Sequence, residues 1–119
     1  MQYEEFKSLY QKFNDDSDKE NFLQNYVDED MPEELANFLL DIGLNSKESD
    51  FSRNEAFKIL RIYIGDFDYS EIFKKIIYFV DNVNEDIYLR IEARPAAKAL
   101  TPAAVLPLPT AAVDRKSVV

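Results

Sequence analysis

Apolar side chains recur every three or four residues through most of the first 93 positions, the spacing that lays them along one face of an α-helix. Phe6, Leu9, Tyr10 and Phe13 define such a face over residues 1–13. Ser17 with Glu20 three residues on has the capping-box pattern and predicts a second helix with the stripe Phe22, Leu23, Tyr26 and Val27. Pro32 suits the first turn of a third helix, and Glu33 and Glu34 suit the positive end of its dipole. Leu35, Ala36, Phe38, Leu39, Leu40 and Ile42 then make that helix apolar around much of its circumference, and residues 43–49 read as a loop. A fourth helix is predicted over 50–64, with Ala56, Leu60 and either Tyr63 or Ile64 on its contact face and Gly65 as its stop. Asp68 is placed to cap a fifth helix over 69–81, carried by Ile72, Phe73, Ile76, Ile77, Phe79 and Val80. A sixth begins at Ile87 and is expected to end near Ala93. Links this short favour antiparallel neighbours.

The pattern repeats. Arg53-Asn54-Glu55-Ala56 returns 37 residues later as Arg90-Ile91-Glu92-Ala93, and Leu35, Leu39, Leu40 and Ile42 return as Ile72, Ile76, Ile77 and Phe79. A period of this length built from two helices marks stacked repeats that bury their apolar faces against one another. The predicted fold is all-α, with antiparallel helical hairpins stacked as a short α-solenoid truncated at its C-terminus. The same register excludes a strand over Ile76–Val80, which β-propensity alone would allow. Residues 1–30 do not align at the offset and read as an N-terminal cap, with repeats over 32–65 and 68–93, the second incomplete.

Composition breaks after Ala93. All seven tyrosines and nine phenylalanines precede it, and four of the five prolines follow it. Residues 114–119, Asp-Arg-Lys-Ser-Val-Val, resemble the translation of a common sequencing adapter, so residues 94–119 are expected to be a non-native or disordered tail. A native Ala/Pro-rich linker is the other reading.

Charge narrows the function. Residues 1–93 hold 22 acidic and 10 basic side chains, a balance of −12, and the whole chain stands at −9. Such a surface repels phosphate backbones and anionic membranes and speeds encounter with basic proteins, so neither nucleic acid nor membrane is the expected partner. With no cysteine and no histidine, disulfides, Cys/His zinc sites, thiol nucleophiles and imidazole chemistry are excluded. No Gly-rich phosphate loop or nucleophile motif is present, and Asp16, Asp18 and Glu20 alternate like calcium ligands without the glycine and glutamate that an EF-hand needs. No catalytic residue, cofactor or metal is expected, and the expected location is cytoplasmic.

The segment Asp50-Phe51-Ser52-Arg53-Asn54-Glu55-Ala56-Phe57-Lys58-Ile59-Leu60, echoed by Asp86-Ile87-Tyr88-Leu89-Arg90-Ile91-Glu92-Ala93, resembles HEAT-type repeats. The resemblance covers roughly residues 32–93 and implies that Asp50 and Arg53, and Asp86 and Arg90, serve acid–arginine pairing between repeats. Ala56 and Ala93 would allow close helix approach. It also implies a protein-binding role, and short acidic bacterial members of this kind resemble toxin-neutralising immunity proteins. The alternatives that the resemblance allows are a HEAT-type lyase or ligand-binding domain, or the N-terminal fragment of a larger scaffold.

The candidate recognition patch is Asp28, Glu29, Asp30, Glu33 and Glu34, five carboxylates in seven positions, suited to a lysine- or arginine-rich surface. A solvated loop with ordinary helix-start charges explains the same residues. Among Tyr10, Tyr63, Tyr69, Tyr78 and Tyr88, which half-burial would suit to an interface, Tyr69 is added to the patch.

Overall fold

The computed structural model of the chain describes residues 2–27 and 30–101. Among them are six α-helices and no strand: α1 (Tyr3–Lys12), α2 (Asp16–Gln24), α3 (Glu33–Leu44), α4 (Asp50–Ile62), α5 (Ser70–Asp81) and α6 (Ile87–Ala99). α3 packs on α4 and α5 on α6, so each pair is a hairpin. α4 also lies between α2 and α6, and α3 between α1 and α5. The odd-numbered helices thus form one layer and the even-numbered helices a second, with the core between them.

The sequence period is also a structural period. α3 and α5 start 37 residues apart, at Glu33 and Ser70, and end 37 apart, at Leu44 and Asp81; α4 and α6 keep the same offset at Asp50 and Ile87 and at Ile62 and Ala99. Hydrogen bonds recur with the helices. Arg53 Nε donates to the Gly43 carbonyl at 2.9 Å, and Arg90 Nε donates to the Val80 carbonyl at 2.8 Å. Asn45 Oδ1 accepts from the Lys47 amide at 2.9 Å, and Asn82 Oδ1 accepts from the Asn84 amide at 3.0 Å, closing equivalent turns.

Both layers feed the core. Leu39, Leu40, Ala56, Leu60, Ile76 and Ala93 are wholly enclosed. Each large aliphatic among them contributes roughly 2 kcal/mol by its removal from water. Gly43, expected in a loop, lies inside α3, and the ring of Phe57 packs where its side chain would stand, with a ring carbon 2.8 Å from an ideal Cβ position. Gly65 is required for a different approach, since a Cβ there would collide with the Met31 carbonyl oxygen.

Helix ends depart from expectation at α2 and at α4. Asp15, not Ser17, caps α2: its carboxylate reaches the chain first and accepts from the Ser17 amide at 2.9 Å. Glu20, freed from a capping box, accepts from the Ser49 hydroxyl at 2.7 Å and ties α2 to the start of α4. α4 stops at Ile62, which leaves Ile64 outside the helix and half exposed.

The composition break at Ala93 is not a break in the helix. α6 runs on to Ala99, burying Ala96 and Ala97 where the first hairpin has Ile59 and Leu60, and Leu100 is buried just beyond. Pro95, on the exposed side, withholds the amide that would bond the Ile91 carbonyl. Residues 102–119 of the predicted tail lie outside the described residues.

Candidate protein-binding groove

α2 is nine residues long and buries Leu23 alone. So short a helix cannot bring its whole apolar stripe under α4, and the excess faces α1. Phe22 packs against Phe6 with ring centroids 4.8 Å apart and against Phe13 at 5.6 Å, while Tyr26 meets Phe6 edge-on at 5.8 Å. These rings floor an open groove of about 680 Å³ between α1 and α2, continued by Val27 and rimmed by Asp18, Asn21 and Asn25. Val27, expected in the buried stripe, is 79% exposed because it follows the end of α2.

In the sequence the carboxylate segment follows Val27 directly. Tyr26 donates its hydroxyl to the Asp30 carbonyl at 3.0 Å, and its own carbonyl accepts from the Tyr63 hydroxyl at 3.4 Å. The first bond joins Tyr26 to Asp30, and the second ties Tyr26 to Tyr63 at the end of α4. Asp30, Glu33 and Glu34 are exposed; Asp28 and Glu29 lie outside the described residues. Tyr69 does not belong with them. It is 7% exposed, stacks on Phe67 at 4.1 Å and accepts the Gly65 amide at 2.8 Å, so its phenol closes the turn between α4 and α5 rather than facing a partner. Burial holds the Tyr69 phenol above its ordinary pKa.

The repeat-motif residues divide between two roles. Ala56 and Ala93 are fully buried in the even-numbered layer. Asp50 stands exposed in the first turn of α4, where the helix dipole favours it. Asp86 caps α6 through the Tyr88 and Leu89 amides at 2.8 and 3.1 Å. The carboxylate that crosses from one hairpin to the other is instead Glu85, 3.7 Å from an Arg53 Nη, an ion pair rather than a hydrogen bond at that distance. Arg53 is otherwise enclosed, with its guanidinium 5.4 Å from the centre of the Phe79 ring. Arg90 repeats the carbonyl bond, on a less buried side chain.

Two other grooves carry basic side chains in their linings. In one of about 710 Å³ between α1 and α3, the Tyr10 hydroxyl donates to Glu48 Oε1 at 2.7 Å and Lys19 Nζ approaches the same oxygen at 3.6 Å. Lys19 also stands 5.3 Å from the centre of the Tyr10 ring. Burial first, and the Glu48 carboxylate second, push the Tyr10 phenol far above its ordinary pKa. A smaller groove of about 330 Å³, beside α5, is lined by Lys74, Lys75 and Tyr78, with Glu85 at its edge. At the start of α5, Asp68 is held below the usual carboxylate range by the Ser70 hydroxyl at 2.6 Å and then by the Ser70 amide at 2.9 Å.

The periodicity of α2 does not distinguish a stripe covered by α4 from one shared with an open groove. Asn21 and Asn25, one turn apart beside Phe22 and Tyr26, are the signal that this face is incompletely covered. Among the described residues, no helix is long and apolar enough to cross a membrane. Protein-family models, curated proteins and solved structures offer no match to the chain.

Proposed function

We propose that this chain is a non-enzymatic protein-binding module of the HEAT-like α-solenoid kind, whose partner is a basic protein. The carrying observation is how charge is distributed along the order of packing. Residues 1–30 hold 9 acidic and 3 basic side chains, residues 31–69 hold 8 and 4, and residues 70–101 hold 5 and 5. The helices of these three stretches follow one another through the two layers, so negative charge accumulates toward the α1–α2 end, beside the aromatic groove. Such a field steers a positive surface toward one end of the molecule, and the apolar floor supplies the short-range contact that charge alone lacks. Recurrence of the Arg53 and Arg90 bonds supports the solenoid reading. A toxin-neutralising immunity protein is the particular form that best suits a small acidic chain of this kind.

Affinity capture with the full chain, followed by titration of each captured protein, tests this reading. A net-positive partner is expected, with binding that weakens as salt rises from about 0.01 to about 1 M and the screening length falls from about 30 to about 3 Å. Neutralising the patch (Asp30→Asn, Glu33→Gln, Glu34→Gln) is expected to slow association. A neutral or acidic partner, or an affinity indifferent to salt, overturns it.

One observation favours a second reading, in which the chain belongs to a longer scaffold. Arg53 reaches across to the carboxylate of the following hairpin, while on α6 the corresponding side carries Ile91, exposed, beside the less buried Arg90. An added hairpin would supply to Arg90 what Glu85 supplies to Arg53.

A further inference from the structure

We infer that the α1–α2 groove is the docking site for a short amphipathic helix of the partner, one whose apolar side carries bulky anchors and whose margins carry lysine or arginine. This rests on the proposed protein-binding role and specifies its place and occupant. Three features select the occupant. The groove runs between two helices and is floored by the rings of Phe6, Phe22 and Tyr26, a shape that takes side chains projecting at helical spacing. Its volume, about 680 Å³, lies within the range that encloses several large apolar groups. Its charge is one-sided: Asp18 is the single ionised group of the lining, whereas the groove between α1 and α3 mixes Lys7 and Lys19 with Glu34, Asp41 and Glu48, and that beside α5 mixes Lys74 and Lys75 with Glu85. Asp15 and Asp16 at the start of α2, and Asp30 past its end, extend the negative field to both ends of the groove. An apolar ligand without charge would leave that field unused, and an acidic one would be repelled by it.

The two most exposed valines among the described residues provide a matched test. Val27 continues the groove and is 79% exposed; Val83, in the turn before α6 at the opposite end, is 78% exposed. Neither supports the core, so Val27→Arg and Val83→Arg change charge equally without emptying it. The probe is a synthetic, fluorescently labelled peptide of lysines with leucines at i, i+3, i+4 and i+7, titrated into the full chain. Its controls are the same residues in scrambled order and a version with glutamate for lysine.

Val27→Arg is expected to weaken the amphipathic probe about tenfold, roughly 1.4 kcal/mol, and Val83→Arg less than about twofold. The scrambled peptide should bind more weakly and the glutamate version not at all. Equal losses from both valine variants would overturn the groove as the site, while leaving the acidic-module reading in place if binding still falls with salt. Equal binding of scrambled and ordered peptides would overturn the helical occupant. Should sedimentation show that the free chain forms a dimer which Val27→Arg abolishes, the occupant is a second copy and the assignment fails. Should no lysine peptide bind at all, the basic-partner reading falls with it.

Discussion

Arg53 combines three contacts that a sequence places far apart: a hydrogen bond to the Gly43 carbonyl, an ion pair to Glu85 and the face of Phe79. Arg53→Ala leaves a buried carbonyl unpaired and removes packing between the hairpins, so urea unfolding is expected to show a loss of about 2–4 kcal/mol. Arg90→Ala deletes the same carbonyl bond from a less buried site and should cost about 1 kcal/mol. Equal losses at the two positions would deny Arg53 its role between hairpins. Tyr10 and Tyr69 make a second prediction at this scale. Both phenols hold their protons more tightly when folded than when unfolded, burial being the first cause in each. The stability they contribute is therefore complete below the ordinary tyrosine pKa of about 10 and declines above it, by up to about 1.4 kcal/mol per pH unit for each. Chemical denaturation between about pH 9 and pH 11.5 should show this decline, and Tyr10→Phe should flatten it. A slope unchanged by that substitution would mean that the Tyr10 phenol is not protected.

Among the elements, α6 has the least favourable local chemistry. Pro95 removes an amide within the helix, and Ala96 and Ala97 replace the Ile and Leu of the first hairpin. Pro95→Ala restores the bond to the Ile91 carbonyl at an exposed position, and a gain of up to about 3 kcal/mol is expected in thermal or urea unfolding. An unchanged midpoint would show that the helix does not continue through position 95 in solution. Six helices and the 37-residue offset were legible in the sequence because the buried side of each helix is written in its apolar spacing. The extent of α6 was not, because alanine fills a buried position without announcing it and the change in composition at Ala93 is the louder signal. The partner of Arg53 was hidden for another reason: Glu85 belongs to a turn, where no periodicity marks a residue as facing anything. The groove was half legible. Phe22, Tyr26 and Val27 stood out as an apolar stripe, but how much of that stripe α4 covers depends on the length of α2 and the angle of α1. Tyr69 was misread because a phenol that accepts a backbone amide and one that awaits a partner look identical in sequence.

For the whole molecule, the two ends differ in kind. The α1–α2 end carries the excess of negative charge and an open aromatic groove, whereas residues 70–101 are balanced in charge and end in a helix with Ile87, Tyr88 and Ile91 exposed. Charge reversal should therefore affect a basic partner's association rate most strongly in residues 1–30. Paired measurements with Asp18→Lys and Glu92→Lys at low salt are expected to show the larger slowing for Asp18→Lys. Equal slowing would mean that net charge alone governs encounter.

The recurrence of one arginine–carbonyl bond at a fixed interval makes the hairpin a unit of length. A segment spliced in tandem as a copy of residues 50–86 would keep the spacing from each arginine to its carbonyl, and a copied Glu85 would meet each preceding arginine. The enlarged chain should fold with one more pair of helices and grow by about 10 Å, the distance between packed helix axes, in small-angle scattering. Size would then follow the number of copies, and the terminal groove would keep its shape whatever the count.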